Sequence, residues 1–117
     1  MSHDVAQVFG SIDALDADKF VAYLTPDVVF RFGNAEPAKG REAVKEGVEG
    51  FFSTIEGLTH HILDVYEDGD TTIAKIDVEY VLKDGRHVTV PNADILKYDG
   101  DLVSDWQIYI DLAPLFA

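Results

Sequence analysis

The sequence predicts an α+β fold, with helices concentrated in the N-terminal half and a mostly antiparallel sheet behind them. Three observations carry this. Apolar residues recur at helical spacing before Thr25 and again from Arg41, β-rich runs follow one another after Gly57, and Asp-Gly pairs join those runs. Asp-Gly between β-rich segments is the strongest short-range hairpin signal. Helices segregated on one side of an antiparallel sheet make an α+β architecture.

From Asp4 to Leu24 the positions Val5, Val8, Phe9, Ile12, Leu15, Phe20, Val21 and Leu24 step by three and four, which is helical spacing. Two short helices broken near Asp16 to Asp18 fit this run. Thr25-Pro26-Asp27 punctuates the chain, VVFRF reads as a short first strand, and GNAEPAKG as the loop after it. Arg41 to Ile55 reads as a third helix with Val44, Val48, Phe51, Phe52 and Ile55 on its apolar stripe. Gly47 and Gly50 lie inside it. Each costs about 1 kcal/mol against Ala, so close packing of this helix on the sheet is expected. The segments LTHHILDVYE, TTIAKIDVEYVL, HVTVPNADILKY and LVSDWQIYID then form a meander of four long antiparallel strands.

At 117 residues the chain suits one domain spanning 1–117 with one core. Twenty-two acids against nine bases give a net charge of −13, which excludes nucleic acid and anionic membranes as partners, because both require clustered Lys and Arg. With no cysteine, there is neither a disulfide framework nor thiolate chemistry. The N-terminal segment lacks the basic and apolar regions of a secretory signal, and no apolar run approaches the ~20 residues needed to span a bilayer. A cytoplasmic protein is expected.

The strands carry an unusual feature, because acids stand among their apolar residues: Asp77, Glu79, Asp94 and Asp111. Strand side chains alternate, so Lys75, Asp77, Glu79 and Val81 share one face and Ile76, Val78, Tyr80 and Leu82 the other. By the same parity Val90, Asn92 and Asp94 go together, as do Asp105, Gln107, Tyr109 and Asp111. These polar faces either line a cavity or face solvent. Burying ionised carboxylates costs several kcal/mol unless they are paired or protonated, while the helices need some face of the same sheet to cover. A polar cavity that binds a small molecule is therefore the leading expectation.

The element order, with LDADKFVAYLTPDVVFRFG, AKGREAVKEGVEGFF and DGDLVSDWQIYID, resembles the nuclear transport factor 2-like superfamily. That superfamily includes ketosteroid isomerases, limonene epoxide hydrolases, scytalone dehydratase and SnoaL-like polyketide cyclases. The resemblance covers essentially the whole chain. It implies a cone-shaped, strongly curved sheet wrapped around a pocket with three helices packed on it, and a convex face that forms a homodimer. The polar strand face would line the cone, leaving Ile76, Val78 and Tyr80 for the dimer contact.

Asp94 falls at the oxyanion-hole aspartate of ketosteroid isomerases, whose protonated form is a known case of a carboxylic acid kept neutral. The matching tyrosine and general-base aspartate positions hold Phe9 and Phe32, so steroid isomerisation is not expected. Lys75, Asp77 and Asp111 fall near the aspartate–arginine–aspartate set of limonene epoxide hydrolases. Lysine lacks arginine's planar fork, and the positions that hold the attacking water carry Phe30 and Phe32. SnoaL-like cyclases ask chiefly for one acid or base in an apolar cone, which Asp94, Asp77 or Asp111 could supply.

Asp94 is the first candidate for catalysis, since a carboxyl among Val90, Ile95 and aromatic rings would be desolvated and its pKa raised. A buried acid paired with Lys75 is the alternative. Asp77 and Asp111 could share a site as an acid and a base, or be surface charge or cap the tail. Lys75, Glu79, Asn92, Gln107 and Tyr109 are candidate ligand contacts, with Phe9, Tyr23, Phe30 and Phe32 as an apolar wall. His60 and His61 are adjacent and point to opposite faces of a strand, so at most one enters the cone, and His60 is preferred. Neither has the spaced ligands of a zinc site, so no metal and no cofactor are expected. Trp106, opposite in parity to Gln107 and Tyr109, reads as core or interface. The expected function is a cofactor-free acid–base enzyme, of isomerase, cyclase or hydrolase type, acting on a small apolar carbonyl, hydroxyl or epoxide compound. The alternative is a non-catalytic ligand-binding or dimerisation module.

Overall fold

The computed structural model describes residues 4–116, with the side chain of Phe116 outside the description. Helix α1 (Val5–Asp13) and helix α2 (Ala17–Val21) lead into strand β1 (Leu24–Phe32), the two-residue strand β2 (Ala38–Lys39) and helix α3 (Arg41–Phe52). Strands β3 (Ile55–Asp68), β4 (Thr71–Leu82), β5 (His87–Asp99) and β6 (Leu102–Ile110) follow, and a 3-10 turn covers Ala113–Phe116. The two short helices break where their second N-cap sits. Asp4 caps α1 by accepting from the Ala6 N–H at 3.1 Å, and Asp16 caps α2 by accepting from Lys19 at 3.0 Å.

The strands form one six-stranded sheet in the order β2-β1-β6-β5-β4-β3. The meander β3–β6 is antiparallel throughout, and its turns place Gly69 and Gly100 at φ of 60° and 63°, the left-handed region that Asp-Gly hairpin turns demand. Strand β1 joins the far side parallel to β6 and antiparallel to β2. It is longer than VVFRF, running through Pro26 with a register shift between Leu24 and Val29. Helix α3 stops at Phe52, short of Ile55. The Ser53 and Thr54 hydroxyls donate to the carbonyls of Gly50 and Phe51, both at 2.6 Å, and Ile55 opens β3.

Packing inverts the expected faces of β4. Ile76, Val78 and Tyr80 are buried against the helices, whereas Lys75 is exposed and Asp77 and Glu79 are half-buried on the outer side. Helical apolar stripes cover the apolar face of the sheet, because that exchange removes the most apolar area from water. Ile76, Val78 and Tyr80 are thus core residues, with at most 2% of their surface exposed and too little for a dimer contact. On β5 the inward set is Val90, Asn92, Asp94, Leu96 and Tyr98. On β6 it is Val103, Trp106 and Ile108.

Trp106 is the hub of this core. Phe9, Phe20 and Phe30 meet it edge-on with ring centroids 5.5, 5.4 and 5.7 Å away, the geometry aromatic quadrupoles favour. These contacts fix α1, α2 and β1 around one indole. Helix α3 closes the other side through Phe51, which meets Phe32 at 5.2 Å and Tyr80 at 5.8 Å. An added Cβ at Gly47 or Gly50 would meet nothing within 4 Å. The glycines of α3 therefore do not mark a close approach to the sheet.

Candidate active site

Between α3, the loop after β1 and the concave face of the sheet lies a cavity of about 250 Å³. Aromatic and aliphatic side chains, among them Phe20, Phe30, Phe32, Phe51 and Ile108, make most of its wall. Exposed Ala35, Glu36 and Gly47 stand at its mouth. Its volume lies just below the ~300–1,000 Å³ of drug-sized ligand sites, which suits a one- or two-ring molecule. Besides Glu36 at the mouth, the polar residues of its lining are His60 on β3, Tyr80 on β4, and Asn92 and Asp94 on β5. No Lys or Arg is among the described residues that line it.

Asp94 lies in the cavity floor with 0% of its surface exposed. Its two carboxyl oxygens are held separately: Asn92 Nδ2 donates to Oδ1 at 3.0 Å, and Trp106 Nε1 donates to Oδ2 at 2.9 Å. Burial pushes its pKa up to about 7, against the opposing pull of the indole N–H. The hydrogen-bond partners are neutral. They orient the carboxyl and offset part of its desolvation without supplying the countercharge that would hold it ionised. Asn92 Oδ1, equally enclosed, has no partner among the described residues. Burial also pushes the Tyr80 hydroxyl upward, with the charge of Asp94 adding to the effect.

A second polar group enters from β3. His60 Nδ1–H donates to Asp13 Oδ1 at 2.5 Å, and the His60 backbone N–H donates to both oxygens of the same carboxylate at 3.1 Å. The imidazole is nearly buried, with 7% of its side chain exposed, and Phe9 stacks on it at 4.8 Å. Asp13, the last residue of α1, had no mark in the sequence to distinguish it from other helix-end acids. Only the contact across 47 residues reveals it.

The remaining candidates lie elsewhere. Lys75, Asp77 and Glu79 are on the outer face of β4, so no Lys75–Asp94 pair forms; Glu79 instead meets His87 at 2.9 Å and His61 at 3.4 Å. Those two contacts hold the Glu79 carboxyl below its ordinary range. Asp111 is exposed and accepts from the Ala113 N–H at 3.0 Å, closing the terminal turn. Gln107 donates to the carbonyls of Gly33 and Ile108, and Tyr109 is 59% exposed. Gln107, Tyr109 and Asp111 gather in a surface hollow with Arg31, outside the cavity. Asp77 and Asp111 thus share no site: Asp77 lies on the outer side of β4, and Asp111 lies just past the end of β6 in the surface hollow. Phe9 and Tyr23 pack in and against the core without lining the cavity, whereas Phe30 and Phe32 line it.

A curved open sheet closed by helices around one apolar cavity defines a nuclear transport factor 2-like α+β protein. The chain belongs to the SnoaL-like domain family, whose model matches residues 5–106. Solved structures share the fold. A nuclear transport factor 2-like protein of unknown function from Burkholderia pseudomallei superposes with a TM-score of 0.86 at 14% identity, covering 96% of this chain and 91% of that one. A Catenulispora acidiphila protein with a ketosteroid isomerase-like fold, in complex with trimethylamine, gives 0.85 at 18% identity over 92% and 85%. An epoxide hydrolase from M. tuberculosis of the limonene epoxide hydrolase-like type gives 0.80 at 16% identity over 96% and 83%. At these identities the likeness is one of fold. No curated protein sequence matches this one.

Proposed function

We propose that the protein binds a small, neutral, largely apolar molecule in the cavity and performs acid–base chemistry on it through Asp94. The observation that carries this reading is the buried carboxyl with its pKa raised to about 7 in the floor of a ligand-sized cavity. A proton-transfer group works best when its pKa lies near the operating pH, and near neutrality Asp94 populates both forms. Each oxygen already accepts one hydrogen bond, so the proton of the acid form is free to meet a carbonyl, hydroxyl or epoxide oxygen of the ligand. Asn92 Oδ1 offers an acceptor beside it. The trimethylamine complex of the Catenulispora acidiphila protein supports small-molecule occupancy in this fold.

The test is carboxyl-carbon NMR titration of Asp94 with and without a panel of small ketones and epoxides, paired with turnover by Asp94→Asn. A titration near pH 7 that moves with ligand, and turnover lost in the variant, are expected. Titration near pH 4, or full activity in Asp94→Asn, sinks the reading. Binding that perturbs Asp94 with no turnover of any compound identifies a non-catalytic ligand-binding module instead.

A homodimer belongs to the same proposal, now through the outer face of the sheet. Tyr66, Ile73 and Tyr109 are exposed there, brought together by the pairings Tyr66 with Ile73, Ile73 with Ile95, and Ala93 with Tyr109. Light scattering should give twice the chain mass for the wild type and a monomer for Ile73→Asp. A wild-type monomer at every concentration removes this part. The cytoplasmic location is likewise proposed, and cell fractionation checks it.

A further inference from the structure

We propose that His60, held by Asp13, is a second proton-transfer group of this cavity, and that the substrate is a small neutral carbonyl compound with a C–H bond acidified by that carbonyl. This rests on the reading of Asp94 as the acid. His60 lines the same cavity as Asp94, from a strand two places away in the sheet. Its Nδ1–H is committed to Asp13 at 2.5 Å, which fixes the tautomer and leaves Nε2 as the basic nitrogen. Nε2 has no hydrogen-bond partner among the described residues. The second Asp13 contact, to the His60 backbone, holds the carboxylate in place, so Asp13 acts as a positioning residue that stabilises the imidazolium when it forms.

The two groups divide the work by chemistry. Asp94 is a buried carboxylic acid held between two neutral donors, whereas His60 is an imidazole with an adjoining carboxylate. In the step they support, His60 Nε2 takes the proton from the carbon, and the C–H electron pair becomes the C=C bond of an enol. The carbonyl π pair takes the proton of Asp94, leaving Asp94 as carboxylate and His60 as imidazolium beside Asp13. Return of the proton to the same or a conjugated carbon, with Asp94 reprotonated from the enol oxygen, restores both groups. Atoms and charge balance without a co-reactant. With no Lys or Arg in the lining and carboxyls at Asp94, Asp13 and Glu36 in or beside it, an anionic substrate has no counterion, which removes carboxylate- and phosphate-bearing carbonyl compounds from the class.

The experiment follows hydrogen–deuterium exchange beside the carbonyl of cyclohexanone, 2-indanone and 2-tetralone in D2O by proton NMR. The wild type should accelerate exchange of at least one ketone above the buffer rate. His60→Gln should lower that rate by roughly 10²–10⁴-fold, the usual span of general acid–base catalysis, and Asp13→Asn should lower it in the same direction. Added imidazole should restore exchange to His60→Ala, which a merely structural role of the ring would not allow. Wild-type exchange rates in both His60 variants, or no acceleration of any of the three ketones, overturn the proposal. Loss of exchange in Asp94→Asn with none in His60→Gln leaves the Asp94 reading standing and removes this one. The reverse pattern retains His60 as the base and removes Asp94 as the acid.

Discussion

Asp94 is a single residue whose surroundings set a measurable pH dependence. Its folded-state pKa is raised from 3.8 to about 7 by burial, so between those values the folded chain holds a proton that the unfolded chain has released. Native stability is favoured by protons in that window and therefore falls as pH rises from about 4 to about 7. At about 1.4 kcal/mol per pH unit of displacement, the full effect is on the order of 4 kcal/mol. Asp94→Asn, which is neutral throughout, should lose this dependence and gain on the wild type at pH 8 relative to pH 4. Urea denaturation of both proteins at the two pH values measures the difference, and equal differences at both would show that the carboxyl is not desolvated. Asp94 was legible in the sequence, because an acid among β-branched residues on the same strand face as Asn92 has few ordinary explanations. Asp13 was not, since nothing local distinguishes it and its partner His60 arrives from a different element. Tyr80 was legible only as part of an apolar strand face, and its place in the lining of the same cavity as Asp94 follows from that face turning inward.

Helix α3 shows the same division among elements. Its apolar stripe announced a helix, and Gly50 within it has open space where a Cβ would go. Gly50→Ala should therefore stabilise the protein by about 0.5–1 kcal/mol, by removing backbone entropy from the unfolded chain. Chemical denaturation reads this directly, and a loss of stability would mean that the glycine serves a packing role the open space does not suggest. The four strands of the meander were legible because Asp-Gly turns and strand alternation are local signals. The parallel seating of β1 on β6 and the two-residue β2 were not, since both depend on partners distant in sequence. Alternation states which residues share a face but not which face is inward. Alternation puts Lys75, Asp77 and Glu79 on one face, and the structure turns that face outward rather than into the cone. The deciding interaction is the burial of Ile76, Val78 and Tyr80 beneath the helices, where Tyr80 meets Phe51 at 5.8 Å.

Across the whole molecule, charge and cavity act on the ligand together. A net charge of −13 surrounds the chain with negative potential, and the cavity holds no described Lys or Arg to reverse it locally. Salt screens the outer charges over a Debye length of roughly 8–10 Å, but it cannot screen the buried Asp94 carboxyl, which lines the cavity itself. A carboxylate entering the cavity would lose its own hydration, gain no cation and raise the cost of ionising Asp94. A neutral ketone meets none of these penalties. The protein should thus bind a cyclic ketone at least ~100-fold more tightly than the same ring bearing a carboxylate, a difference of about 2.7 kcal/mol. Isothermal titration at low and at physiological ionic strength checks this. Added salt should narrow the gap only slightly, because the opposing charge is inside. Comparable affinity for the two compounds would show that a cation reaches the bound ligand and that the cavity is not the neutral-ligand site its lining describes.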